Sequence, residues 1–152
     1  MSNNLNIREF VFNDTDKVLE VFKQNVPRYF AVNEIEEFEK YLESGIEKYF
    51  VAEIDGEIIG AGGVNFENNR TTGQISWGFI QPKFQGFGFG SRLLQHRIDF
   101  LKSVATVEKI ALGTSQHTYK FYEKNGFVLK EIRKDYWAKD FDLYAMIYDG
   151  EV

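Results

Sequence analysis

The segment from Gln85 to Ser91 carries the residue types of a phosphate-binding loop. Its glycines alternate with aromatic residues, in the order Gln85, Gly86, Phe87, Gly88, Phe89, Gly90 and Ser91. Glycine lets a backbone fold closely around a ligand. The spacing of Leu94, Ile98 and Leu101 predicts that an amphipathic helix follows. The N-terminus of such a helix offers unpaired N–H groups and partial positive charge to an anion, so strand-like residues 74–80, loop and helix together favour phosphate binding.

Glycine spacing separates the kinds of phosphate loop. A Walker loop requires Lys followed by Ser or Thr after its last glycine, and here Ser91 follows Gly90 directly. A dinucleotide fingerprint requires Gly-x-Gly-x-x-Gly after an early βαβ unit, and this sequence predicts neither. A plain tight turn between a strand and a helix would use the same three glycines, and spacing alone leaves that interpretation open.

The pattern that remains is Gln-x-x-Gly-x-Gly, formed by Gln85, Gly88 and Gly90. It resembles the acyl-CoA pyrophosphate loop of the GNAT superfamily, the general N-acetyltransferases. A second motif, residues 121–127, looks like the closing motif of that family, Tyr-Glu-Lys-x-Gly-Phe. Gly126 is expected to end a helix there in a left-handed conformation. Two motifs in the right order extend the resemblance over most of the 152 residues.

Composition indicates a globular domain without disulfides. The sequence is 43% hydrophobic and 16% aromatic, and its 152 residues suffice for one domain with a real core, predicted to span residues 1–152. Zero cysteines exclude disulfides, thiolate metal sites and a cysteine nucleophile. Two histidines, His96 and His117, are too few for a standard zinc site, so we expect no metal. No apolar run is long enough to span a membrane and the start, Met1 to Leu5, does not resemble a signal peptide, so we expect a cytoplasmic protein without a membrane partner.

Charge is unevenly distributed along the chain. The net charge is −5, which argues against nucleic-acid binding. Residues 1–70 hold seven Lys/Arg against fourteen Asp/Glu, whereas residues 83–130 hold eight against three, a local balance of +5. Because CoA carries a pyrophosphate and a 3′-phosphate, positive charge around the glycine loop agrees with the resemblance.

Hydrophobic spacing predicts an α/β fold with a mixed sheet. Strands are predicted at residues 5–12, 49–54, 57–66, 72–80, 107–113, 127–134 and 141–148. Helices are predicted at residues 14–25, 33–44, from the glycine loop to 102, and at 116–125, with Asp14 and Asn33 as N-caps and Pro27 ending the first. The inward residues of the first two helices are predicted to be Val18, Val21, Phe22, Ile35, Phe38 and Leu42. The resemblance implies a GNAT-like fold, with a mostly antiparallel sheet of about seven strands flanked by about four helices.

The resemblance also implies which residues contact acetyl-CoA as cosubstrate. It places pantetheine contacts on the backbone of Phe79 and Ile80 and pyrophosphate contacts on the loop Gln85–Ser91. Ser115 stands where the family often has an asparagine that contacts pantetheine, and a serine is shorter. Phe121 is expected to contact the donor. Lys124 could reach a phosphate or remain an ordinary exposed lysine.

Tyr122 occupies the position where many members hold a tyrosine near the CoA sulfur, which implies a general acid for the leaving thiolate. A core or CoA-packing aromatic is the alternative interpretation. The general base is less clear, because the fourth predicted strand, residues 72–80, offers Gln74 and Ser76 but no carboxylate. Three candidates could remove the proton of the amine: Glu67, a water relay, or no base at all where the amine arrives deprotonated. Glu67 could equally be a solvated turn residue.

The acceptor is weakly specified. The second helix carries Glu34, Glu36, Glu37, Glu39, Glu43 and Glu47 against Lys40, which either favours a basic amine or forms a solvated face. Tyr136 and Trp137 could wall the acceptor pocket or simply pack. The resemblance implies an amine acceptor, on a small molecule or on a peptide or protein, and leaves room for a homodimer.

We therefore predict an acetyl-CoA-dependent N-acetyltransferase that transfers the acetyl group directly to a primary amine in a ternary complex. The alternative is a non-catalytic acyl-CoA-binding or regulatory module on the same fold, because fold alone does not confer activity. The missing carboxylate on strand four favours the module, and Tyr122 favours the enzyme.

Overall fold

The computed structural model describes residues 4–152, and residues 1–3 lie outside the described part, together with the signal-peptide prediction that rests on them. The strands of the described part are β1 (Leu5–Glu9), β2 (Lys48–Ile54), β3 (Glu57–Glu67), β4 (Thr72–Ile80), β5 (Lys109–Thr114), β6 (Phe127–Ala138) and β7 (Phe141–Tyr148). Its α-helices are α1 (Thr15–Lys23), α2 (Glu34–Lys40), α3 (Phe89–Lys102) and α4 (Tyr119–Lys124). A π-helical turn, Tyr41–Gly45, continues α2.

Within residues 4–152 the strands form one seven-stranded sheet in the order β1-β2-β3-β4-β5-β7-β6. Neighbouring strands run antiparallel, except that β4 and β5 are parallel. The predicted fold class, a mixed and mostly antiparallel sheet with about four helices, is thus confirmed.

The parallel pair separates before β4 ends. Pairing between β4 and β5 runs from Thr72 opposite Lys109 to Ile75 opposite Leu112, whereas β4 itself continues to Ile80. The second half of β4 therefore has no hydrogen-bonded neighbour on its β5 side. A gap opens in the sheet at this point, and the motif residues surround it.

A bulge in β4 lies beside this gap. Gly63 pairs with Ser76 and Ala61 with Phe79, so the register between β3 and β4 shifts, and Trp77 has a positive φ of 46°. Such a bulge places two successive side chains on one face. Ser76 and Trp77 accordingly both lie on the face covered by α1 and α2, where Ser76 bonds Asn65 and Trp77 packs in the apolar core.

Each face of the sheet has its own apolar core. On one face, α1 and α2 contribute Val18, Val21, Phe22 and Phe38, as their spacing predicts. On the other face, Leu94, Ile98 and Leu101 of α3 pack against strands β3 to β5, also as predicted. The sheet thereby holds the glycine loop and α4 at fixed positions around the gap.

The first strand ends earlier than predicted, at Glu9 rather than residue 12. Asp14 accepts two hydrogen bonds of 2.9 Å from Arg8 and one of 2.8 Å from the Val11 N–H, which draws the chain into a short 3₁₀ turn, Phe12–Asp14. Asp14 precedes α1, but its carboxylate therefore makes no capping bond to the helix. The helix ends at Lys23, before Pro27.

Three further boundaries differ for local reasons. The predicted cap Asn33 makes no capping bond to α2 and instead donates to the Trp137 carbonyl at 3.1 Å. Helix α4 begins at Tyr119 rather than residue 116, because the Ser115 carbonyl accepts from the N–H of Tyr119 at 3.0 Å and forms a turn first. Strand β6 extends to Ala138 through an irregular register with β7.

Candidate functional site

A large cavity of about 1190 Å³ opens where β4 and β5 separate. The end of β4, the glycine loop, α4 and the β6–β7 turn line it, together with residues that precede α2. Both sequence motifs and Glu34, the first residue of α2, thus face one cavity. Its size is above the usual range for a small-ligand site, which suits a long ligand together with a second substrate.

Gln85 fixes the start of the glycine loop. Its Nε2 donates to the Ile80 carbonyl at 2.9 Å and to Asn25 Oδ1 at 3.2 Å. These bonds tie the loop to the end of β4 and to the segment after α1. The side chain of Gln85 therefore acts mainly on the position of the loop, and the loop backbone is left to face the cavity.

Gly86 and Gly88 have the left-handed conformation that only glycine adopts readily, with φ of 86° and 85°. Helix α3 begins at Phe89, directly after Gly88. The first N–H groups of a helix have no carbonyl partner in a preceding turn, so those of Phe89, Gly90 and Ser91 are free to bind an anion. The sequence prediction of a loop leading into a helix N-terminus is confirmed in its backbone.

The space in front of this loop fits a phosphate. A Cβ built on Gly86 or Gly88 meets no protein atom within 4 Å, whereas one on Gly90 would lie 3.3 Å from the Phe121 ring. An open concave backbone at a helix N-terminus is the arrangement that holds the pyrophosphate of a nucleotide-like ligand. The residues therefore fit the CoA that the resemblance implies.

The large apolar side chains of the glycine loop and of the end of β4 differ in burial and in their position relative to the cavity. Phe89 is 1% exposed and packs in the core, whereas Phe87 is 54% exposed, and neither side chain lines the cavity. Phe79 and Ile80 are also buried in the two cores. Phe79, Ile80 and Ser91 line the cavity, whereas Phe87 and Phe89 can contact a ligand there only through their backbone.

The predicted donor contacts on and before α4 also border the cavity. Ser115 is buried, and its Oγ accepts from the His117 N–H at 3.2 Å, so it stabilises the turn before α4. Phe121 packs against Gly90 and against the Tyr122 ring, with ring centroids 5.0 Å apart. Lys124 lies exposed at the rim, where it can reach a phosphate in solvent.

Tyr122 faces the gap from α4 and lines the cavity. Burial raises the pKa of its hydroxyl, and the nearby guanidinium of Arg97 opposes that rise. The hydroxyl is therefore protonated at neutral pH and able to donate a proton. Its position in the cavity agrees with the acid prediction.

Sequence reasoning missed Arg97. This residue is 2% exposed on α3, lines the cavity, and lies near three tyrosines, Tyr122, Tyr49 and Tyr41. A signal was present in the sequence, because Arg97 follows Leu93 and Leu94 at helical spacing and so belongs to the inward face.

Glu34 stands out from the other acidic residues of α2. It is 6% exposed, accepts a hydrogen bond of 2.8 Å from the Ala31 N–H, and lines the cavity. Burial raises the pKa of its carboxyl to about 7, and the charge of Glu37 adds to the rise. Glu36, Glu37, Glu39 and Glu43 are exposed, so most of these acidic residues form a solvated face, and among them only Glu34 lines the cavity.

Glu67 and the aromatic turn also border the cavity. Glu67 is exposed at the end of β3 and accepts from Gln74 Nε2 at 3.1 Å. Trp137 donates its Nε1–H to the Thr114 carbonyl at 2.9 Å, and Tyr136 packs edge-on against it while 53% exposed. Trp137 therefore forms a fixed wall, and Tyr136 is the more accessible ring.

The described part holds no group of three or more His, Cys, Asp or Glu side chains placed to bind a metal ion. No helix of this part has the length and apolar character needed to cross a membrane.

Comparison with known proteins gives consistent matches. The sequence model of the acetyltransferase (GNAT) family matches residues 15–127. An N-alpha-acetyltransferase of Sulfurisphaera tokodaii is 25% identical over 166 aligned residues, covering 92% of this chain and 90% of that protein. The solved structure of Ard1 from Thermoplasma volcanium has a TM-score of 0.75 at 20% identity, covering 95% of this chain and 97% of that one. An aminoglycoside 6'-N-acetyltransferase complexed with coenzyme A has a TM-score of 0.75 at 19% identity, covering 93% and 95%.

Proposed function

The chain belongs to the acetyltransferase (GNAT) family, and from this premise we propose that it acetylates the α-amino group at the N-terminus of a peptide or protein. The chain is an acetyltransferase and acetyl-CoA is its acyl donor. The observation that supports the α-amine proposal is the similarity to an N-alpha-acetyltransferase along 92% of the chain. Glu34, a buried carboxyl in the cavity, is a suitable partner for an amine.

In the proposed donor site, acetyl-CoA binds to the start of α3 and to the edge of β4. The N–H groups at the start of α3 bind the pyrophosphate, and Gly86 and Gly88 leave it room. The exposed edge of β4, from Trp77 to Ile80, binds the pantetheine arm in the gap that β5 would otherwise fill. Bound there, the donor supplies an activated acetyl thioester for attack by an amine.

Two side chains are proposed to move the protons. Tyr122 gives its hydroxyl proton to the sulfur as the bond from sulfur to the acetyl carbon breaks. Glu34 in its ionised form takes the proton that the attacking amine loses, directly or through one water. Glu67, the candidate base from sequence, is more exposed than Glu34, and we rank it second. The chain has no cysteine, which excludes the commonest acyl-enzyme route, and the proposed transfer is therefore direct, from acetyl-CoA to the amine.

The acceptor is tested by a thiol-release assay. The enzyme, acetyl-CoA and one acceptor are incubated, and free CoA thiol is read colorimetrically against a background without protein thiols. Peptides with a free N-terminus are compared with the same peptides blocked at the N-terminus, with spermidine and with free amino acids. Mass spectrometry then locates the acetyl group. We expect it on the α-amine, and acetylation of lysine side chains or of spermidine alone would contradict the proposal.

Gly88→Ala is expected to weaken acetyl-CoA binding by about tenfold or more, which corresponds to about 1.4 kcal/mol. A non-glycine residue is strained at a φ of 85°, and its methyl group would enter the space in front of the loop. Calorimetric titration with acetyl-CoA measures the effect. Gly56→Ala is the matched control, because Gly56 has a φ of 79° with equally open surroundings in the β2–β3 turn. If both variants bind acetyl-CoA like the parent protein, the loop does not hold the donor.

Three predictions from the sequence remain predictions. They are a cytoplasmic location, a homodimer and the exact chemical nature of the acceptor. Size measurement in solution and acceptor profiling are the corresponding experiments.

A further inference from the structure

Arg97 is a buried cation without a carboxylate partner among the described residues. Its side chain is almost entirely buried, yet the ion pairs of residues 4–152 do not include it. Its Nη1 donates only long hydrogen bonds of 3.4 Å to the carbonyls of Gly63 and Ser76, and its Nε has no partner. A buried charge in this state destabilises a fold unless something else compensates it.

The sheet is shaped to admit this guanidinium. A Cβ on Gly78 would lie 2.6 Å from Arg97 Nη2, and a Cβ on Gly62 would lie 2.8 Å from its Cζ. Both glycines therefore keep open the space that Arg97 fills, beside the β4 bulge at Trp77. On the other face of the sheet, Gly63 gives the same close approach to Tyr49 and Tyr41.

Arg97 on α3 and Tyr122 on α4 interact beside the same cavity. The Arg97 guanidinium is near enough to hydrogen-bond the Tyr122 hydroxyl, and both residues line that cavity. Because a guanidinium can only donate, a hydrogen bond between the two groups would use the Tyr122 oxygen as acceptor and leave its proton free to point elsewhere. The hydroxyl can direct that proton into the gap between β4 and β5, where the thioester of the donor would lie.

We propose that Arg97 is a positioning residue for Tyr122: it holds the hydroxyl at the gap between β4 and β5 and stabilises the tyrosinate formed when that hydroxyl gives up its proton. This inference rests on the proposed function, in which Tyr122 is the acid. A bond forms between the amine nitrogen and the acetyl carbon, and the carbon–sulfur bond breaks with its electron pair on sulfur. Tyr122 transfers its proton to that sulfur, Glu34 receives the proton of the amine, and both groups exchange protons with solvent afterwards.

A purely structural role explains Arg97 less well. An apolar side chain of similar length would fill the space beside Gly62 and Gly78 without the cost of burying a charge, and such replacements often leave stability unchanged or raised. A positive charge is useful at this point only when a negative charge forms near it. Deprotonated Tyr122 is such a charge, and the pKa of Tyr122 is lowered by Arg97 against the effect of burial.

The decisive experiment compares Arg97→Met with Arg97→Lys, and it uses the ionisation of Tyr122 without any substrate. Difluorotyrosine replaces tyrosine, because its more acidic phenol ionises in a range where the fold persists, and fluorine NMR follows each signal with pH. The Tyr122 signal is the one of eight that Tyr122→Phe removes. We expect Arg97→Met to shift its ionisation to higher pH and Arg97→Lys to shift it less. Tyr49 from β2 and Tyr41 from the π-helical turn also face Arg97, so their fluorine signals are followed as well. His96 lies next to Arg97 on the same helix and is followed through its ring proton signals.

Kinetics provide the second readout. Arg97→Met is expected to lower kcat about tenfold in the parent protein but not in the Tyr122→Phe background, because coupled residues are non-additive. Lys102→Met removes a positive charge from the exposed end of the same helix and is expected to change neither readout. Thermal unfolding of Arg97→Met is expected at an equal or higher temperature. An unchanged Tyr122 ionisation in a folded Arg97→Met protein overturns the inference, even where acetyl transfer persists, and so does a larger shift in Arg97→Lys than in Arg97→Met. Absence of acetyl transfer in the parent protein, together with the expected NMR shift in Arg97→Met, would instead count against the proposed function.

Discussion

Tyr122→Phe is expected to lower kcat by about 10- to 1000-fold, with little change in the affinity for acetyl-CoA. The substitution removes one hydroxyl and keeps the ring, which packs edge-on against Phe121 and Phe127. In the proposed donor site the glycine loop holds most of acetyl-CoA, so donor binding should persist. Steady-state kinetics with the best peptide acceptor and calorimetric titration with acetyl-CoA measure the two quantities separately.

Tyr119→Phe is the matched control for this prediction. Tyr119 lies on the same helix, packs against Tyr144 with ring centroids 4.7 Å apart, and does not line the cavity. It should retain the parent kcat. Equal rates in all three proteins would remove Tyr122 from the acid role, and a matching loss in both variants would indicate damage to α4 rather than to the chemistry.

Glu34→Gln is expected to lower kcat by about 100-fold or more and to remove the pH dependence that Glu34 confers. With a pKa of about 7, the parent carboxyl becomes an effective base as the pH rises through neutrality, so kcat should increase to a plateau above that point. The amide cannot accept the proton. We specify kcat because the free α-amino group of the acceptor titrates near pH 8 and would affect kcat/KM.

The same substitution should stabilise the fold at high pH. The pKa of Glu34 is higher in the folded protein, about 7, than its ordinary value of 4.5, so the folded state holds this proton more tightly. The stability that the protonated Glu34 carboxyl contributes to the fold is fully present below pH 4.5 and is lost as the pH rises through about 7. The full shift corresponds to about 3 kcal/mol, and screening by solvent in the open cavity reduces our expectation to about 1–2 kcal/mol. Glu34→Gln should therefore unfold less readily than the parent at pH values above 7 and about equally below 4.5.

The pH profile of kcat tests the expected loss of activity. Denaturant unfolding below pH 4.5 and above pH 7 tests the expected gain in stability. Glu39→Gln is the control, because Glu39 lies on the exposed side of the same helix. If Glu34→Gln has a lower kcat than the parent and a more stable fold above pH 7, the Glu34 carboxyl serves proton transfer and lowers the stability of the fold. Parent-like kcat with raised stability would leave Glu34 without a role in proton transfer, and Glu67 or water would then be tested.

Most elements of the fold could be predicted from local patterns. The Asp55-Gly56 turn, the inward face of α1 and the left-handed Gly126 depend on residues close in sequence, and each is found in the structure. Boundaries were less predictable where a distant partner intervenes. Asn33 bonds Trp137, 104 residues away, and so does not cap α2. Asp14 is drawn to Arg8 of the preceding strand rather than to its own helix.

The sequence by itself determined the local conformation of the proposed donor-binding segments. The loop Gln85–Ser91 and the closing motif at Tyr122–Phe127 are continuous segments, and the conformation of a glycine loop before a helix depends mainly on its own residues. Tertiary structure alone decided the rest. The separation of β4 from β5, the bulge at Trp77 and the glycines that admit Arg97 all depend on strand register, and register is fixed by packing between distant segments. For the same reason, only the fold could distinguish Glu34, buried in the cavity, from the solvated glutamates beside it.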